Sequence, residues 1–448
     1  MIQNKQYRIK KAEIDEGRSL AEIVEGLVGQ DALRWYIGQV AGDEVVVETT
    51  LWRNEQRPFG NGFDRRHYPG KCAVLSIVPT GVGCNIGGYA GDAAPVTNLL
   101  AAGVDYLITN PNALNASNFI GFDSNKVLFT DGCCIDLLCK GVIDLRLPYA
   151  NKVGLIVERT SDAHLDLIFN IVNAVRAIHG VDIVDVVVTE KPIGGRSVEN
   201  GSGAIVGTID NPQVLFDACE KLIRQGANAI GITSHIQDVE LEAYSRHFNG
   251  EYPNPVGGTE AVISYSVTDR YQLPSVHAPL INVKQMDLKH KVVDARGAGE
   301  MVSESGLACI LIGLKRAPQI SERAGARIKD VININNLLAV VAPAKCLGGI
   351  PALYAEKHNI PIIAVEENRT VLDVSQSKLG LTNVLNARNY AEAAGLILAL
   401  RDGISLASIS RPIHALDTRG SGELLTETHP VSTSVGAPAA YQFTAASE

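Results

Sequence analysis

From Lys71 onward, short apolar runs rich in Val and Ile alternate with longer segments of helical spacing, and no other feature restricts the fold as much. Such alternation predicts an α/β fold: a mostly parallel or mixed sheet with helices on both faces, because a parallel strand pair needs a crossover that packs back on the sheet. The predicted strands are "CAVLSIV" from Cys72, "VDYLIT" from Val104, "KVGLIV" from Lys152, "VDVVVT" from Val184, "ANAIGIT" from Ala227, "LACILIGL" from Leu307, "LLAVVAP" from Leu337 and "IPIIAV" from Ile360. Helical spacing marks "APVTNLLAAG", "AHLDLIFNIVNAVRAIHG", "NPQVLFDACEKLIRQG", "GTEAVISYSVTDRYQ" and "NYAEAAGLILALRDG", several of which finish in the glycine that stops a helix. "VLSIVPTGVG" and "VVVTEKPIGG" each open the order strand, glycine loop, helix, strand. A duplication and the ordinary repetitiveness of α/β chains both account for that echo.

Residues 1–68 predict a small N-terminal α+β domain. "SLAEIVEGL" starts with Ser19, a capping residue, "EVVVETTLW" has the β-branched content of a strand, and "RNEQRPFGNGFDRRHYPG" has the polarity of a linker. Residues 69–416 form the main α/β domain, long enough for two lobes. Residues 417–448, rich in Gly, Ser, Thr and Ala without apolar periodicity, predict a flexible tail.

A net charge of −9 argues against a broad surface for nucleic acid. No run approaches the ~18 apolar residues of a membrane span, and the N-terminus lacks an apolar core of signal-peptide length, so the expected location is cytoplasmic. Eight cysteines then predict free thiols and no disulfide framework. Homo-oligomerisation is compatible with this composition.

Ligands of parallel sheets bind beyond the carboxyl ends of the strands, so the polar residues that follow each predicted strand are the candidates. The glycine-rich stretch "VPTGVGCNIGGYAGDAAP" contributes Thr80, Gly81, Gly83 and Cys84; its backbone N–H groups and the following helix start suit a small anion. Its glycines fall at 81, 83, 87, 88 and 91, which is not the GxGxxG spacing, and no GxxxxGK[ST] occurs. No organic cofactor is expected. Asn110 and Thr233 follow later strands, and "GSGAIVGTIDNP" adds Ser202 as a second source of donors. Lys345 and Arg369 are the cations that would pair with ligand charge, beside Glu366 in "AVEENRTVLDV".

Four residues are candidates for catalysis. Cys84 and Cys346 sit in glycine-flanked strand-to-helix turns, where a helix terminus lowers a thiol pKa, and Lys345 adjoins Cys346. Two such thiols flanking a carbon acid, one removing a proton and the other returning it, would act as in the cofactor-independent amino-acid racemases, although the characteristic Cys-Asn-Thr and Cys-Thr-His segments are missing; inert buried thiols are the competing account. His235 follows a strand, and with His277 and a carboxylate such as Glu260 or Glu366 it would form an acid–base group. No HExxH-like motif is present, so no metal site is expected. In "GGTEAVISYSV" Thr259 is the expected helix cap, with Glu260 in the first turn, where a carboxylate is favoured.

The segments "VPTGVGCNIGGYAGDAAP", "ITNPNALNASNF", "GTEAVISYSV" followed by "HAP", "LIGLKRAPQI" and "VEENRTV" occur together in this order. On these the chain resembles the family known as domain of unknown function 3326 over about residues 72–375. The resemblance implies relatives and no reaction. The residues themselves predict an enzyme acting on a small polar, carboxylate- or phosphate-bearing metabolite by proton-transfer or nucleophilic chemistry: an isomerase, lyase or hydrolase. The alternatives are a non-catalytic metabolite-binding or regulatory protein using the same loops, and a scaffold for self-association.

Overall fold

Alternate side chains of single strands point into different cores in the computed structural model of the chain, which describes residues 2–11, 18–29, 31–52, 71–111, 115–116, 119–121, 125–237, 239–280, 292–303, 306–322 and 331–413. In the strand Ala73–Ser76, Ala73 and Leu75 enter one apolar cluster and Val74 another; Ile362 and Ala364 divide from Ile363 and Val365 in the same way. That is the period-two signature of a sheet buried on both faces.

Six parallel strands make the larger sheet. Its order, from one edge, is Val127–Phe129, Tyr106–Thr109, Ala73–Ser76, Leu337–Pro343, Ile362–Val365 and Val384–Ala387. Numbered along the chain this is 3-2-1-4-5-6, the doubly wound order, with its reversal between Ala73–Ser76 and Leu337–Pro343. Helices Ala94–Ala102 and Tyr390–Arg401 cover one face. Helix Ile350–Lys357 and the antiparallel N-terminal sheet cover the other, where Trp35, Ile37 and Val47 share a core with Leu75 and Leu353.

Residues between the third and fourth strands of this order build a second, four-stranded parallel sheet. Its order is Asp182–Thr189, Lys152–Glu158, Ala229–Ser234 and Ser275–Pro279. The two echoed segments therefore differ: Ala73–Ser76 pairs directly with Tyr106–Thr109, whereas Lys152–Glu158 lies between Asp182–Thr189 and Ala229–Ser234. Helix Gly257–Tyr271, buried along almost its whole length, lies against the strand Ser275–Pro279 and the hairpin Gly195–Glu199/Ile205–Ile209.

One predicted strand is corrected. "LACILIGL" is the helix Leu307–Leu314, because a short, wholly apolar run has no period to distinguish a buried strand from a buried helix. The N-terminal helix Leu20–Val28 starts as expected, with a complete capping box between Ser19 and Glu22. The linker and the 417–448 tail fall on residues outside the described ones. The described residues 405–413 belong to a separate unit and carry the short helix Leu406–Ile409. Among the described residues no helix is long and apolar enough to cross a membrane.

Candidate functional site

The reversal of strand order leaves a crevice at the carboxyl ends of Ala73–Ser76 and Leu337–Pro343, the place where doubly wound sheets bind ligands. A cavity of about 190 Å³ occupies it, lined on one side by Ile77 to Thr80 and on the other by Cys346 and Gly348 to Pro351. A second cavity, about 130 Å³, lies beneath the glycine-rich loop. Thr80, Pro111, Glu260 and His277 belong to the walls of both.

Glu260 and His277 are both buried, and His277 Nδ1 lies 3.5 Å from Glu260 Oε1. On the far side of the ring, Nε2 is 2.9 Å from Ser234 Oγ. The backbone locks the pair: the His277 N–H donates to Ser264 Oγ (3.0 Å), whose hydroxyl donates to the Glu260 carbonyl (3.0 Å). Ser234 is fully buried and lines neither cavity. The order hydroxyl, imidazole, carboxylate is thus the reverse of a serine nucleophile's, with the carboxylate on the cavity side and the hydroxyl orienting the ring from behind.

The helix bearing Glu260 begins earlier than its sequence suggested. Gly257 is its first residue, Thr259 is inside it and hydrogen-bonds the Arg196 carbonyl and Ser197 Oγ, and Asn254 accepts the N–H groups of Val256 and Gly257. Gly258 is there because a Cβ would lie 2.0 Å from the Ile205 carbonyl oxygen. The same oxygen would stand 2.5 Å from a Cβ on Gly81, whose φ is +74°. The glycine loop and the helix start thus clamp the hairpin backbone between them.

That clamp answers what the loop holds. Gly81 accepts the Ile205 N–H through its carbonyl (2.8 Å), and Val82 accepts that of Val371 (2.9 Å). The N–H groups of Gly87 and Tyr89 donate to the Asp92 carboxylate at 2.9 and 3.3 Å, and that of Ala90 to Glu300. The chain's own carboxylates occupy the donors that were expected to bind an anion. Burial raises Asp92 to about 6 and Glu300 to about 7.

Of the predicted site residues, Thr80, Gly81, Gly83 and Glu260 line the smaller cavity, and Asn110 and Cys346 the larger. Asn110 is used structurally, its side-chain amide pairing with both backbone groups of Val78. The other residues lie elsewhere. Ser202 donates to Asn200 in the hairpin turn, buried Thr233 lines neither cavity, and His235 neighbours His164. Lys345 is exposed and pairs with Asp373 at 3.4 Å, while Glu366 and Arg369 are also exposed. The two thiols shift opposite to the expected direction: burial pushes Cys84 well up and Cys346 to about 12. Cys84 donates to the Pro79 carbonyl at 3.3 Å. Among the described residues no three His, Cys, Asp or Glu side chains are grouped to hold a metal ion.

Arg34 was not anticipated. The strand Ala32–Ala41 is stitched to the glycine turn by the Ile37 N–H donating to the Gly348 carbonyl at 2.8 Å and by a bridge between Tyr36 and Gly349, which carries Arg34 into the wall of the larger cavity. Its guanidinium carbon lies 5.8 and 5.5 Å from the ring centres of Tyr36 and Tyr265. No hydrogen bond or ion pair holds it among the described residues. The buried Asp136, raised to about 7 by desolvation, accepts from the Tyr265 hydroxyl in the same wall. The signal was available as a lone arginine inside the apolar run "ALRWYIGQV".

A family model described as "Protein of unknown function (DUF3326)" matches residues 72–410, which contain every segment quoted for the resemblance. A protein of Synechococcus sp., described as an uncharacterised lipoprotein, is 32% identical over 339 residues, covering 75% of this chain and 92% of that protein. No solved structure matches.

Proposed function

We propose a function for this chain, which belongs to the family of unknown function DUF3326: it is an enzyme that moves a proton on a small acid-bearing metabolite, without an organic cofactor. The observation that carries this reading is the buried Glu260–His277 pair in the wall common to two cavities. The carboxylate or phosphate of the substrate lies in the larger cavity, against the start of helix Ile350–Lys357 and Arg34, whose charge also acts on the Asp136 carboxyl of the same wall; the cation and the helix N-terminus favour negative charge there. Glu260 accepts the proton; the electron pair of the broken bond stays on the substrate, delocalised toward the acid group. His277, held by Ser234, steadies the carboxylate and shares the proton. Isomerisation or elimination follows from such a step. The upward shift of the Cys84 and Cys346 thiols and the inward position of Ser234 favour these outcomes over hydrolysis by a thiol or hydroxyl nucleophile.

The test is mass spectrometry of small molecules released from protein purified without dialysis, comparing wild type with Arg34→Gln and Glu260→Gln. Retention of an acid by wild type and Glu260→Gln, with loss in Arg34→Gln, supports the reading; equal retention in all three overturns the role of Arg34. The proposed location is the cytoplasm, on the strength of eight free thiols. The lipoprotein description of the Synechococcus sp. relative points instead toward a membrane anchor, and cell fractionation with a C-terminal tag separates the two.

A further inference from the structure

The smaller cavity is lined mostly by apolar side chains and glycines and, among the described residues, by no Lys or Arg. Glu260 and Glu300 bring two carboxylates to its wall. Tyr244, 9% exposed, lines it without a hydrogen bond to its hydroxyl among the described residues, near enough to both carboxylates for their charges to act on it. His247 supplies a further acceptor. Its Nδ1 lies 3.1 Å from the Tyr252 carbonyl oxygen and must donate there, so Nε2 is left with a lone pair and no partner. Burial keeps this imidazole neutral, with its pKa lowered to about 4, and raises Glu300 to about 7 with help from Glu260 and Asp92. The ring of Phe248 completes the wall together with that of Tyr89, which stacks on His247 at 4.4 Å and lies 5.1 Å from the Arg296 guanidinium carbon. Carboxylates desolvated with no cation in the same wall are costly, and an ammonium group would offset that cost.

We infer that this cavity receives the ammonium group of the substrate whose acid group lies at Arg34, so that the substrate class is a small zwitterion of the amino-acid type. The inference rests on the proposed roles of Arg34 and Glu260. In this arrangement the substrate has one charged group in each cavity and the carbon between them at Glu260, the carboxylate that lines both. There the C–H bond breaks, its electron pair remains on carbon in conjugation with the acid group, and the proton resides on the Glu260 carboxylate until it is returned.

Ligand-detected saturation-transfer NMR at pH 7.5 tests this with three probe mixtures: the standard α-amino acids, the matching carboxylic acids without the amino group, and the matching amines without the acid group. Wild type, Glu300→Gln and Arg34→Gln are compared, each after a melting curve establishes that it is folded. The expected result is that one or more amino acids bind at least tenfold more tightly than their deaminated acids. Glu300→Gln removes that advantage without weakening the acids, and Arg34→Gln weakens amino acids and acids together. Acids that bind wild type as well as amino acids do, or an amino-acid advantage that survives Glu300→Gln, overturn the ammonium subsite; a loss in Arg34→Gln alongside either result still supports the anion subsite. Binding indifferent to Arg34→Gln overturns the anion subsite, and no binding from any mixture overturns both.

Discussion

Replacing Glu300 with Gln should stabilise the protein above neutral pH and leave it unchanged in acid. The Glu300 carboxyl lies in the smaller cavity, accepts the Ala90 N–H, and is raised from 4.5 to about 7, chiefly by burial. Between those values the folded state holds a proton that the unfolded chain has released, so stability falls as pH rises from about 4.5 to 7 and levels off above. A shift of this size corresponds to at most about 3 kcal/mol. Gln keeps the acceptor for Ala90 and cannot ionise, so the variant lacks this loss. With about 2.1 cal/mol/K of unfolding entropy per residue over a unit of roughly 400 residues, the gain is about 4 °C in melting temperature. Melting curves of wild type and Glu300→Gln at pH 5 and pH 8 measure it directly. Superimposable wild-type and variant curves at pH 8 would refute the claim that an uncompensated carboxylate lines this cavity.

Three further outcomes are expected. Gly258→Ala places a Cβ 2.0 Å from the Ile205 carbonyl oxygen, in backbone that cannot yield, and should cost more than about 4 kcal/mol in a denaturant titration or prevent folding altogether. Ser234→Ala leaves His277 Nε2 without a partner in a fully buried place and should cost about 1–3 kcal/mol, whereas Ser234→Thr should recover part of the loss. Iodoacetamide at pH 8 should label neither Cys84 nor Cys346 in the native protein, because burial keeps both protonated; mass spectrometry showing rapid native labelling of Cys346 would return that thiol to the candidate nucleophiles.

The parallel architecture was legible because strands buried on both faces leave runs such as "CAVLSIV" and "IPIIAV", and amphipathic crossovers such as "NPQVLFDACEKLIRQG" keep their helical period. Glu260 was legible from local chemistry, as a carboxylate in the first turn of a glycine-opened helix. What local chemistry does not carry is which residue fills a donor cradle. Asp92, only three residues beyond Tyr89, takes the N–H groups that an external anion would need, and Glu300 arrives from more than two hundred residues away. Arg34 reaches the cavity only because Ile37 pairs with Gly348, a contact across some three hundred residues that no window of sequence contains. The distinction between Ser234 as nucleophile and Ser234 as orienting group is likewise a matter of which end of the chain of hydrogen bonds faces space.

The most direct test of proton transfer at Glu260 is deuterium wash-in. The acid released from the wild-type protein is incubated in D₂O with wild type and with Glu260→Gln, and its C–H signals are followed by proton NMR. Loss of one C–H signal with wild type, and its persistence for as long with Glu260→Gln although the ligand still binds, is the expected result. Wash-in at the same rate with both proteins, or none with wild type while the acid is bound, would contradict a catalytic Glu260 and leave a binding protein in its place.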